Sequence, residues 1–284
     1  MNPSRREGKA QQLSPELSAE RCRQAIQEHT RRLAECASAA GGEAPAPTCP
    51  GWTVTSLVEH VGQTQHWVSE IVERRITDPS ELPTEVAELP AEPQAWPAWL
   101  SDAADRATAA CSDAALLAPV FNAAGDDRTG AQFWLHTLLN ETVVHGFDVA
   151  AAAGHDHDYD LAADIAAGLI TNHLAMLASP TWTAQRPESA AAMRGSGETL
   201  HWHATDEPSL GDSGEWHIER HPDGVRWQPR HGTADVTVRG PATSLLLVLT
   251  RRLPLTGEHA AHVTIDGDVE LARHWVRHTA HVAD

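Results

Sequence analysis

The chain has 284 residues, 41% of them hydrophobic, enough to bury one large core or two ordinary ones. Its 21 basic residues face 39 acidic ones, a formal charge of -18, and Lys9 is the sole lysine, so the broad basic surface that binds a nucleic-acid backbone cannot be assembled. No apolar run approaches the roughly 18–20 residues of a membrane span, the amino terminus lacks a signal-peptide core, and Cys22, Cys36, Cys49 and Cys111 form no CxxC pair; a cytoplasmic protein with reduced thiols, touching neither nucleic acid nor membrane, is expected.

Residues 1–14 are polar and aperiodic and read as a disordered arm. Apolar positions at helical spacing predict a first helix from Leu17 to Ala40, stopped by Gly41-Gly42, and a second, capped by Thr53, through Val54, Leu57, Val58 and Val61 to about Arg75. The stretch 78–97 holds five prolines and five acids and no base, which opposes regular structure and predicts a long loop, either a lid or a solvated connection. Helices then follow over about 98–118, 130–153 and 161–178. Beyond a Pro-, Ser- and Gly-rich stretch the texture changes to short alternating runs, predicting strands at 199–205, 215–220, 225–228, 235–239 and 262–266, a helix opened by Pro241, and a last helix over about 268–281. The expected architecture is a mainly α bundle of four or five helices over 15–178, a linker over 179–197, and a small α+β domain over 198–284.

Glu141 and His145 stand four residues apart on the fourth predicted helix, so both side chains leave one face. Most such pairs are solvated neighbours, but this stripe also carries Trp134, Leu138 and Asp148, and a carboxylate buried beside an imidazole needs a compensating charge. His60 sits on the apolar stripe of the second helix; a packed, hydrogen-bonded core residue is the common fate of such a histidine, yet an antiparallel bundle can bring it opposite Glu141 and His145. Two imidazoles, one carboxylate and an open position form a catalytic metal geometry.

Other clusters compete. His274 and His278 are also four apart, with His281 beyond; His201 and His203 share one strand face; HDHDYD at 155–160 reads as a solvated turn. Cys49 is either a nucleophile or a small apolar filler before a proline, and Asp148 either orients an imidazole or faces water. Ten tryptophans beside one tyrosine and three phenylalanines imply that Trp does the core work of aromatics, with Trp67 and Trp134, on the ligand-bearing helices, as the candidate pocket residues.

The segments TCPGWTVTSLVEHVGQTQHW and WLHTLLNETVVHGFDVAAAAG, with VTVRGPATSLLLVLTRRLP and VTIDGDVELARHW near the end, resemble the mycothiol-dependent maleylpyruvate isomerase family, itself similar to DinB-type metal-binding bundles. The resemblance covers most of residues 15–280. It implies a DinB-like bundle whose metal ligands fall on His60, Glu141 and His145, and an active-site arginine on Arg252. The family's isomerases tend to read LPGWTRGHVLAHLARN where this chain has CPGWTVTSLVEHVGQT, so the family is shared and the substrate is open.

The implied cofactors are a divalent metal, zinc by expectation, and mycothiol as thiol cosubstrate; Arg252 is expected to hold an anionic group of the substrate or cosubstrate, and Trp67 and Trp134, by their place on the ligand-bearing helices, to line the pocket that binds it. The implied activity is thiol transfer to, or cis-trans isomerisation of, an electrophilic small molecule. A metal-dependent hydrolase and a non-catalytic, metal-stabilised binding or regulatory module remain open alternatives. The protein is expected to be a monomer or a homodimer.

Overall fold

The computed structural model describes residues 17–257, 260 and 262–279. The arm expected over 1–14 and the last residues of the final predicted helix lie outside the described residues. The first helix, α1 (Ala19–Ala40), starts where Ser18 accepts from the Arg21 amide and ends at Gly41, whose positive φ of 82° suits a residue without Cβ. The second, α2 (Val54–Glu73), opens on a capping box in which Thr53 and Ser56 satisfy each other's backbone amides. The stretch predicted as one helix over 98–118 is two: α3 (Trp96–Ala110) ends at Cys111, and Ser112 caps the single turn α4 (Asp113–Leu116). Thr129 and Gln132 form the capping box of α5 (Gly130–Ala152).

Helices α1, α3, α2 and α5 pack around a common core, each against the next, with α5 closing on α1. The loop at 78–97 is tied down: the Trp67 indole donates to the Pro83 carbonyl at 2.9 Å, Gln63 to Ala87 at 3.1 Å, and Trp96 to Pro90 at 2.9 Å.

Helix α6 (Ala163–Leu177), assigned to the bundle on sequence grounds, packs chiefly along α9 (Ala242–Leu249) of the carboxyl-terminal part. The stretch expected as a linker contains two short helices, α7 (Pro180–Gln185) and α8 (Pro187–Ala192). The strands β1 (Thr199–Ala204), β2 (Glu215–His221), β3 (Gly224–Gln228), β4 (Val236–Gly240) and β5 (Thr264–Gly267) form one sheet in the order β3-β2-β1-β4-β5, with β1 and β4 parallel and the other pairs antiparallel. Helices α9 and α10 (Val269–Thr279) lie against this sheet. Leu200, Trp202, Trp216 and Ile218 point from it into an apolar core continuous with that of the bundle, through Ile170 and Leu174 of α6 to Leu135 and Leu138 of α5. Helix α5 is therefore enclosed from both sides, and its polar residues must find partners inside the protein. Among the described residues no helix is long and apolar enough to cross a membrane.

Candidate metal centre

The capping box at Thr53 fixes the phase of α2 so that Leu57, Val58 and Val61 are fully buried, and His60, between them, faces α5 at the edge of the core. On α5, Glu141, His145 and Asp148 follow at i, i+4 and i+7 along one face. His60 Nε2 lies 2.8 Å from Glu141 Oε2, and His145 Nε2 lies 3.3 Å from the same oxygen. One ligand atom from each of the three residues falls within 4.8 Å of the others. Side-chain exposure grades from 35% at His60 and 27% at Glu141 through 13% at His145 to none at Asp148, so the cluster opens to solvent at one end and is anchored in the core at the other.

The anchor is a chain of charges. Asp148 Oδ2 accepts from His145 Nδ1 at 2.9 Å. Arg252, buried after α9, grips both oxygens of Asp148, Nε at 3.0 Å and an Nη at 2.8 Å, while its other Nη donates to the Thr250 carbonyl at 3.0 Å. Thr48 donates to Asp148 Oδ1 at 2.6 Å. Burial alone would push the Asp148 and Glu141 carboxyls upward, but hydrogen bonds and charge from His145 and Arg252 at Asp148, and from His145 and His60 at Glu141, hold both well below the usual carboxylate range. Burial likewise opposes the charged form of His145, and the hydrogen bonds and charges of Asp148 and Glu141 outweigh it, raising this imidazole to about 9.

This donor set fits a divalent metal. With Nδ1–H held by Asp148, the proton that remains for His145 to give up is on Nε2, the nitrogen turned toward Glu141 and His60, and a carboxylate behind a histidine is the arrangement that fixes a ligating imidazole. Two imidazoles and one carboxylate suit zinc or a similar borderline cation better than magnesium or calcium.

The expected residues are thus partly brought together. His60, Glu141 and His145 converge. Arg252 reaches them from the carboxyl-terminal part through Asp148, and its Nε and two Nη atoms each donate to a protein acceptor. Trp67 and Trp134 pack edge to face against each other at 5.3 Å, and the Trp134 indole donates to the Phe121 carbonyl. The aromatic ring at the imidazoles is instead Trp52, stacked on His145 at 5.7 Å and 7° and edge-on to His60 at 5.2 Å.

Thr48 precedes and Trp52 ends the CPGW turn, and position just before the α2 cap was their available signal. The turn also brings the Cys49 sulfur within 4.8 Å of ligand atoms of His145 and Asp148, although burial raises the Cys49 thiol pKa, which disfavours a free nucleophilic thiolate. Two clefts lie elsewhere, one of about 550 Å³ beside Glu198, Arg220 and His274 and one of about 480 Å³ beside Arg21, Arg128 and His136.

The sequence matches two family models, the mycothiol maleylpyruvate isomerase N-terminal domain over residues 22–150 and the MDMPI C-terminal domain over residues 160–274. No curated protein matches it. The fold is similar to the crystal structure of the mycothiol-dependent maleylpyruvate isomerase, at 17% identity over 89% of this chain and 95% of that one, with a TM-score of 0.50. The stereoselective inverting sec-alkylsulfatase Pisa1 from Pseudomonas sp. aligns at 15% identity over 82% of this chain and 46% of that one, with a TM-score of only 0.28. The two family matches take in most of the chain, helical bundle and sheet alike, and the protein belongs to the mycothiol maleylpyruvate isomerase family.

Proposed function

We propose that the protein is a metal-dependent enzyme that brings a low-molecular-weight thiol, mycothiol by family membership, to an electrophilic small molecule. The single observation that carries this reading is the convergence of His60 Nε2, Glu141 and His145 Nε2 within 4.8 Å, with Asp148 holding the far nitrogen of His145. A divalent cation held by these three residues would lower the pKa of an entering thiol below its free value of about 8.5 and so supply thiolate at neutral pH.

The chain's own groups set the rest. Asp148, itself held by Arg252 and Thr48, keeps the His145 ring in one tautomer and orientation. Trp52 covers the His145 face and shields that side from water. The open end at His60 and Glu141 admits the two small molecules. The thiol sulfur adds to an electron-poor carbon–carbon double bond, its electron pair forming the C–S bond while the π pair moves onto the conjugated carbonyl. The former double bond is now single and rotates. Return of the pair expels the thiolate with cis-trans isomerisation, whereas protonation of the adduct carbon leaves the S-transfer product.

The test combines metal analysis with turnover. In His60→Ala and Glu141→Gln, checked for native circular dichroism, metal content is expected to fall by one equivalent per chain relative to the wild type, and mycothiol-dependent conversion of maleylpyruvate or a related electrophile to disappear. Unchanged metal content in both variants, or product formed equally well without thiol, would overturn the reading, the second in favour of a hydrolase.

A further inference from the structure

Strand alternation sorts the hairpin β1–β2 into two chemistries. Leu200 and Trp202 of β1, with Trp216 and Ile218 of β2, enter the core; His201, His203, Glu215 and His217 share the other face. Register sets His203 directly across from Glu215 and His201 across from His217. The segment after β3 folds back over this face: Arg230 donates to His217 Nδ1 at 3.0 Å, and the Thr233 carbonyl lies 3.0 Å from His217 Nε2. That return sets His231 above Glu215. A Cβ on Gly232 would come within 2.6 Å of the Arg230 guanidinium and 3.1 Å of the His217 ring, so the backbone here passes close over this face of the sheet.

Three imidazoles thereby meet one carboxylate. His201 Nε2 lies 2.6 Å from Glu215 Oε2; His203 Nδ1 and His231 Nδ1 lie 2.9 Å and 3.1 Å from Oε1. One ligand atom from each of the four residues falls within 4.8 Å of the others. The rings splay around that point: His231 stands nearly perpendicular to both His201 and His203, at 88° and 81°, as ligands approaching one centre from different directions do. The other histidine–acid groups of this kind among the described residues are at the bundle centre.

We propose that His201, His203, Glu215 and His231 form a second, structural site for a zinc-type divalent cation, separate from the centre in the bundle. Three nitrogen donors and one oxygen exclude magnesium and calcium as preferred occupants and suit zinc, cobalt, nickel or copper. Four protein ligands leave no open position, which marks a closed site that ties the 229–235 segment to the hairpin. Two of the ligand-bearing elements, β1 and β2, are already joined by an antiparallel ladder, so what the cation would add is a tie between that hairpin and the segment after β3, which otherwise meets it through Arg230, His231 and the Thr233 carbonyl.

The full-length protein, stripped with a chelator and dialysed against zinc alone, is expected to hold two equivalents. His231→Ala, at an exposed side chain, and His203→Ala should each hold one and weaken the second binding constant by roughly tenfold or more. His60→Ala should also hold one, and the variant combining His60→Ala with His231→Ala should hold essentially none. In the His60→Ala background zinc should still raise the thermal midpoint and protect the 229–235 segment from protease, and His231→Ala should abolish both effects. Cobalt in that background should give the visible absorption of a tetrahedral ion. Metal content and zinc-induced stabilisation unaltered by His203→Ala and His231→Ala would overturn the site. A single equivalent lost in His231→Ala but kept in His60→Ala would sustain it while removing the bundle centre.

Discussion

Asp148 is a fully enclosed carboxylate between a guanidinium and an imidazole, and Arg252 is 7% exposed as a residue, so neither charge is relieved by water. Breaking such a pair from one side costs more than the pair is worth, because the remaining charge stays buried. Arg252→Met is expected to lower unfolding free energy by about 3–5 kcal/mol in urea denaturation, and Arg252→Lys by less, since a point charge keeps the sign but loses the two-pronged grip. Combining Arg252→Met with Asp148→Asn should restore part of the loss, with a coupling energy of about 1–3 kcal/mol. Because Arg252 meets Asp148 and the Thr250 carbonyl, its replacement at a temperature where the variant stays folded should lower kcat and metal retention and leave KM for an anionic substrate little changed. A raised KM at full kcat would instead show that Arg252 binds that substrate.

At the scale of elements, Gly62 of α2 lies directly against Trp99 of α3: a Cβ there would lie 2.0 Å from the Trp99 ring. Alanine is the better helix former by about 1 kcal/mol, yet forcing a methyl into this contact costs about 1–3 kcal/mol, so Gly62→Ala should lower the thermal midpoint. It should also weaken metal binding, since any shift of α2 carries His60, two residues away. The helices themselves were legible because their ends are written in local chemistry: Gly41 after α1, Thr53 before α2, the Pro241 start of α9. The break at Cys111 was missed although Ser112-Asp113 is itself a start signal, because the apolar spacing runs on through it. The partner of α6 was missed for a deeper reason: an apolar stripe states that a face is buried, not against what, and α6 packs along α9. The same limit applies at the site. The i,i+4 pair and the family resemblance nominated His60, Glu141 and His145. The Arg252–Asp148 pair joins residues 104 apart and depends on where two bodies of the fold meet. Likewise HWH declares one strand face, but its meeting with Glu215 needs the hairpin register, and His231 sits in an aperiodic segment with no pattern to read.

At the scale of the whole molecule, the 18 histidines decide how the protein answers to acid. His29, on α1, is 3% exposed and its Nδ1 has no hydrogen-bond partner; burial, with Arg32 and Arg21 adding repulsion that Glu28 and Asp160 only partly offset, pushes it down to about 4. His136, on α5, is pushed down to about 4 by burial and by Arg128. For both, the folded value lies below the unfolded value of about 6.5. Between pH 6.5 and 4 the unfolded chain therefore binds more protons than the folded one, and stability rises with pH across that window. The contribution is complete above about pH 6.5 and is lost as pH falls toward 4, on the order of 2–3 kcal/mol for each residue. Asp148 and Glu141, held low by their partners, lose their contribution only at more acid pH, so this limb belongs to the buried imidazoles. Urea midpoints at pH 6.5, 5.5 and 4.5 should fall steadily in the wild type, and His29→Leu should flatten the decline. The measurement needs dilute protein, because protonation of the exposed histidines moves the net charge of -18 toward zero and lowers solubility over the same range. An equal slope in wild type and variant would mean that His29 is protonated in the folded protein, and the assignment of the acid limb would fall.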